Sequence, residues 1–182
     1  MSFSLFPRFS FKEVKDISPG FLGDLGIRLL MIDLDNTLAA YCEHSPADDV
    51  FQWVTAVKDA GINLAIVSNS SNAPRVGAFA VALDTKSIIR ASKPSPASLL
   101  DLMETAGFSA GESALVGDQI FTDTLAANRA GVLSIIVKPR KFTNPLLALR
   151  YAAEMPFRAF AKNRQEKSNE QYRKNKKPSP RI

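Results

Sequence analysis

Asp33 and Asp35 stand two residues apart, directly after the apolar run Leu29-Leu30-Met31-Ile32 and just before the hydroxyl of Thr37. Two carboxylates this close resist joint ionisation unless a cation lies beside them. Ser68 and Asn69 close a second apolar run, Lys93 precedes a proline, and Asp118 and Asp123 follow a third run beginning at Ser113. As a set, these groups suit phosphoryl transfer through an enzyme carboxylate. Asp33 is the candidate nucleophile, since a carboxylate can accept a phosphoryl group as a covalent intermediate. Asp35 can protonate the leaving oxygen and then activate water. Asp118, with the carboxylates of the first run, offers hard oxygen ligands for Mg²⁺. Ser68, the Asn69 amide and Lys93 can hold the remaining phosphate oxygens and offset developing charge. Singly, each has a plainer reading as a solvated aspartate, a turn or a surface cation. Together, in this order, they point to one site.

Chemistry of this kind requires that residues far apart in sequence converge. A parallel sheet does this, because its ligand sites lie at the carboxyl ends of its strands. The apolar runs read as five buried strands, at 29–32, 62–68, 87–90, 113–117 and 133–137. Helical patterns alternate with them. One starts at Ser45-Pro46, with Val50, Phe51, Val54 and Val57 as its apolar stripe; others cover 74–83, 96–106 and 123–130. Strands alternating with helices predict right-handed crossovers and a three-layer, Rossmann-like α/β fold with a mainly parallel five-stranded sheet.

The chain has 182 residues, enough for one domain with tails, and no apolar run long enough to span a membrane. Its N-terminus lacks the pattern of a secretion signal. Cys42 is the single cysteine, which excludes intrachain disulfides and cysteine metal sites and fits a reducing cytosol. The sole histidine, His44, is assigned no role. Of the net charge of +5, residues 138–182 carry +10, with 13 Lys/Arg against 3 Asp/Glu; residues 1–137 carry −5. This asymmetry predicts an anionic partner, a membrane surface or nucleic acid.

The motifs resemble those of the haloacid dehalogenase (HAD) superfamily of phosphatases. Asp33-Leu34-Asp35-Asn36-Thr37 matches the first motif, Ser68 the second, Lys93-Pro94 the third, and Gly117-Asp118 with Asp123 the fourth. The resemblance implies Asp33 as nucleophile and Asp35 as acid and base. It implies Mg²⁺ on Asp33, Asp118 and the backbone carbonyl of Asp35, with Asp123 as a further ligand or as an orienter of Lys93. More narrowly, the chain resembles the class IIIA, YqeG-like group, which is related to phosphatidylglycerophosphate phosphatases. Residues 28–143 are expected to form the phosphatase core, after an aromatic and basic segment at 1–27. An amphipathic basic helix is expected at 144–166, and a basic, disordered tail at 167–182.

Neither the gap after Leu38 nor that after Ser70 has room for the separate cap domain that many such enzymes carry. An open site favours a large substrate that brings its own cover, such as a lipid head group. Leu146, Leu149, Ala153, Phe157 and Phe160 recur at helical spacing, with Arg150, Arg158, Lys162 and Arg164 on other faces, as in an interfacial helix. Phe3, Phe6, Phe9, Phe11 and Phe21 either pack across the domain or face a membrane. The expected activity is that of a Mg²⁺-dependent phosphomonoesterase at the inner face of the cytoplasmic membrane, acting on a lipid phosphate such as phosphatidylglycerophosphate. The alternatives are a phosphatase of small soluble esters and a non-catalytic binder of a GTPase or RNA on the same scaffold.

Overall fold

A computed structural model describes residues 3–141 and 145–175, with side chains of its last helix given through Ala161. Six strands form one sheet: β1 (Phe9–Ser10), β2 (Leu29–Ile32), β3 (Asn63–Val67), β4 (Lys86–Ile88), β5 (Ser113–Gly117) and β6 (Leu133–Ile136). Their spatial order is β1-β6-β5-β2-β3-β4, and every pairing is parallel. The sheet thus has six strands where five are expected. The extra one, β1, is two residues long and shows no alternation that sequence could reveal. Backbone bonds outside it hold it to β6, from Arg8 N–H to the Ser134 carbonyl and from Phe11 N–H to the Ile136 carbonyl, both 2.9 Å.

Helices cover both faces. β2 lies at the centre of the sheet and is buried throughout, as its unbroken apolar run requires. Leu30 and Ile32 face a core shared with α1 (Pro19–Asp24), α2 (Asp48–Asp59) and α3 (Ala73–Ala82). Leu29 and Met31 face the opposite core, shared with α4 (Ala97–Ala106) and α5 (Leu125–Ala130). Burying each such side chain contributes about 1.5–3 kcal/mol.

α2 begins two residues later than the Ser45 cap suggests, at Asp48, and its first-turn Asp48 and Asp49 complement the helix dipole instead. Phe51 lies on its exposed side. Trp53 is buried in its place and donates its indole N–H to the Ile17 carbonyl at 2.7 Å. Between β2 and α2, and between β3 and β4, the chain inserts only a loop and α3, respectively, so the described residues contain no separate cap domain.

The last helix, α6 (Pro145–Asn175), packs on β1 and on the turn at 120–124. Its backbone stays helical past the boundary expected at residue 166, and residues 176–182 of the expected tail lie outside those described. Arg158 is buried rather than turned outward, while Leu146, Leu149 and Phe160 are among the most exposed apolar side chains. The reason is local pairing. Glu154 lies one turn before Arg158 and bonds it at 2.8 Å, so the two can enter the protein together. Lys162 and Arg164 lie outside the described side chains. In the N-terminal segment, Phe9 and Phe11 pack edge-on against Phe21, and Phe6 packs against Phe157 and Phe160. Phe3 is exposed.

Candidate active site

β2 stops at Ile32, and the chain then folds back tightly. The Leu38 and Ala39 amides both donate to the Leu34 carbonyl at 3.1 Å, and Asn36 takes a left-handed conformation with φ 61°. Asparagine tolerates that conformation better than most residues. This fold-back holds Asp33 and Asp35 at the carboxyl end of the central strand, both buried. Neighbouring β5 ends at Gly117, delivering Asp118 beside them.

The turn at 120–124 is one wide helical turn. The Asp123 and Thr124 amides both donate to the Gln119 carbonyl, at 3.0 and 3.1 Å, and Asp123 Oδ2 accepts from the Gln119 amide at 3.0 Å. Wide turns of this kind are frequent at functional sites. Asp123 is pressed against Gly117: a Cβ at that position would lie 2.3 Å from the Asp123 carboxyl carbon.

Lys93 reaches into the cluster from the segment after β4. Its Nζ lies 2.6 Å from Asp33 Oδ1, 2.7 Å from Asp123 Oδ1 and 2.7 Å from the Val67 carbonyl. Asn69 fixes its backbone reciprocally, donating to the Lys93 carbonyl at 2.9 Å and accepting from the Lys93 amide at 2.8 Å. One face of the Asn69 amide is thereby committed to positioning Lys93, although Asn69 also lines the cavity. Ser68 is fully buried, and its Oγ accepts from the Ser70 amide at 3.0 Å, shaping the loop after β3.

The balance of charge is uneven. Asp33, Asp118 and Asp123 bring carboxylate oxygens within 4.8 Å of one another, and Lys93 is the cation among them. Burial pushes Asp33 up to about 7, against the pull of Lys93 and with the push of Asp123. Burial also raises Asp118 well above the ordinary carboxylate value, and Asp123 and Asp33 add to the rise. Burial alone would lower Lys93, but Asp123 and Asp33 outweigh it and hold the ammonium above its usual value. Asp118 Oδ1 is buried with no hydrogen-bond partner. An excess of buried carboxylate with an uncommitted oxygen fits a hard divalent cation.

Asp35 sits apart from this trio. Its Oδ1 accepts from Arg75 Nη1 at 2.6 Å, and Arg75 also donates to the Ala40 and Glu43 carbonyls at 2.9 and 2.8 Å. Both side chains are nearly inaccessible. Removing the partner of such a buried charge costs about 3–5 kcal/mol. Sequence reading passes over Arg75, although it is the one charge in an otherwise apolar helix.

A cavity of about 450 Å³ opens onto Asp33, Asp35, Lys93 and Asp123, with Asn69 and Ser70 on one wall and Tyr41 and Arg150 also lining it. Tyr41 carries no spacing signal, and Arg150 is read in the sequence only as a charge on the last helix, so neither is foreseen at the site. A larger cavity, about 580 Å³, lies at the opposite edge of the sheet, where its one carboxylate, Asp84, is paired with Lys58 at 2.8 Å.

Residues 19–131 match the haloacid dehalogenase-like hydrolases. The chain is 30% identical over 128 residues to the probable phosphatase YqeG of Bacillus subtilis (strain 168), spanning 70% of this chain and 74% of that protein. Among solved structures, an uncharacterised protein from Listeria monocytogenes serotype 4b shares the fold at 18% identity and a TM-score of 0.53, over 65% of this chain and 85% of that one. A putative 3-deoxy-D-manno-octulosonate 8-phosphate phosphatase from Vibrio cholerae does so at 19% and 0.52, over 71% and 75%.

Proposed function

The chain belongs to the haloacid dehalogenase-like hydrolases and is a phosphatase; on that premise we propose that it is a Mg²⁺-dependent phosphomonoesterase working through an aspartyl-phosphate. The observation that carries this reading is the trio Asp33, Asp118 and Asp123, buried together against a single lysine. Asp33, Asp118 and Asp123 would hold the ion, with the Asp35 backbone carbonyl as a further oxygen, and when bound the ion neutralises charge on the phosphate and its surroundings.

A carboxylate oxygen of Asp33 attacks phosphorus, forming the Asp33 O–P bond as the bond to the leaving oxygen breaks. Asp35 gives its proton to that oxygen. It then takes a proton from water as the water attacks phosphorus, which releases phosphate and restores the Asp33 carboxylate. Arg75 holds Asp35 Oδ1, leaving Oδ2 for proton transfer. Lys93 offsets the phosphoryl charge, and the Ser68-Asn69 loop, which holds the Lys93 backbone, lines its approach.

The substrate we propose is a lipid phosphate at an anionic membrane surface, phosphatidylglycerophosphate first. Its support is that α6 carries exposed Leu146 and Leu149 immediately beside Arg150, which lines the cavity. An apolar face and the site's mouth thus share one helix. No helix among the described residues is long and apolar enough to cross a membrane, so attachment would be from the surface.

Purified protein should release phosphate from an aryl phosphate with Mg²⁺ and lose this with EDTA. Asp33→Asn should lower turnover on the order of a thousandfold or more with an unchanged circular dichroism spectrum. Full turnover in that variant would exclude the aspartyl-phosphate route.

A further inference from the structure

α6 presents a charged stripe to the domain at positions i, i+4 and i+8: Arg150, Glu154 and Arg158. Two of the three fasten the helix, with Arg158 Nε left without a hydrogen-bond partner. Glu154 Oε1 accepts from the Ile120 amide at 2.9 Å, and Glu154 Oε2 accepts from Arg158 Nη2 at 2.8 Å. Arg158 also donates to the Val137 carbonyl at 2.9 Å and to the Asp118 carbonyl, and its guanidinium lies 4.5 Å from the Tyr151 ring centroid.

Arg150, one turn earlier, is half-buried and has no hydrogen bond or ion pair among the described residues. It lines the same cavity as Asp33, Asp35 and Lys93. Tyr41, half-exposed, lines that cavity too. Arg150 acts electrically on this space, counteracting part of the rise in Asp118 and in Tyr41, which burial and then Asp35 push up to about 12.

The phosphoryl end of the cavity already has a cation, Lys93. A guanidinium lining the cavity from a helix that is itself fastened offers a fork for a second anion, and its planar donors suit a carboxylate or phosphate oxygen pair. Resting on the phosphomonoesterase reading, we propose that Arg150, assisted by the Tyr41 hydroxyl, binds a second anionic group of the substrate. The preferred substrates are then phosphate monoesters that carry another anion a few bonds away.

Three substrates test this, measured with Mg²⁺ on the full chain. Glycerol 1-phosphate has one phosphate, glycerol 1,3-bisphosphate adds a free one, and monomeric dihexanoyl phosphatidylglycerophosphate adds a phosphodiester within a lipid head group. The wild type should show a kcat/KM about tenfold or more higher on at least one of the two bis-anions than on glycerol 1-phosphate, the scale of one charge-assisted hydrogen bond. The favoured one tells whether the second anion is a free phosphate or a lipid phosphodiester. Arg150→Met should erase that ratio, mainly through KM, and Arg150→Lys should restore part of it. Tyr41→Phe should lower it several-fold. Equal kcat/KM on all three substrates in the wild type would overturn the proposal, as would a proportional loss on all three in Arg150→Met. No turnover of an aryl phosphate by the wild type would instead overturn the phosphatase chemistry on which the proposal rests.

Discussion

At the scale of single residues, the site holds protons that a bound cation would displace. In the absence of metal, burial holds Asp33 near about 7 and Asp118 well above its ordinary value, whereas unfolded carboxylates titrate near about 4. The metal-free folded protein therefore keeps protons that the unfolded chain has already released. The stability this contributes is complete below about pH 4 and drains away as pH rises through the folded values, about 7 for Asp33. The melting temperature of EDTA-treated protein should accordingly fall from about pH 4 to about pH 7 and level off above it. Saturating Mg²⁺ should remove most of that fall by favouring the ionised carboxylates. A profile that stays level without metal across this interval would contradict the electrostatic picture of the trio.

At the scale of elements, the close approach between β5 and the wide turn at 120–124 fixes the site. Gly117→Ala would set a methyl group 2.3 Å from the Asp123 carboxyl, and a buried side chain cannot yield that distance without moving the turn. The expected cost is about 1–3 kcal/mol of stability, with a larger loss of activity and a smaller Mg²⁺-induced rise in melting temperature. Gly77→Ala makes the contrast: it sits inside α3 with open space around it and should stabilise the protein by about 0.5–1 kcal/mol. Equal behaviour of the two variants would contradict the fit at Gly117.

Much of this level was legible in the sequence. The apolar runs ending in Asp33, Ser68 and Asp118 mark the central strands, because strands buried on both faces have little choice of composition. The Lys93 contact with Asp123 was one of two roles foreseen for that aspartate. β1 was not legible, being two residues held by backbone alone. Arg75, Tyr41 and Arg150 were not legible because their meaning lies in pairings across the fold. The burial of Arg158 was not legible, because it counts as surface charge until Glu154, one turn away, is seen to enter with it.

At the scale of the whole molecule, the proposed attachment to an anionic membrane surface would rest on the exposed apolar face of α6 and the +10 charge of residues 138–182 together. Basic residues contribute about 1 kcal/mol each near such a surface, and inserted leucines add attraction that salt does not screen. The protein should sediment with vesicles containing phosphatidylglycerol and not with neutral ones, and high salt should release part of it. Leu146→Glu with Leu149→Glu should weaken vesicle binding about tenfold or more while sparing aryl phosphate turnover. Absence of binding at low salt would exclude the membrane reading.

The bond from Arg158 back to the Asp118 carbonyl also gives the protein a timetable. On a ribosome every strand has been made by residue 136, but the clasp on the loop bearing Asp118 arrives only with residue 158. At about 5–20 residues per second, a growing chain passes a second or more with its sheet complete and its catalytic loop unlatched. Nascent chains stalled with residue 158 still inside the exit tunnel should be folded by protease protection yet inactive on aryl phosphate, and those stalled after it has emerged should be active. Activity in the shorter chains would mean that the loop seats itself without the clasp. On that expectation, the enzyme stays silent until its last helix has been born.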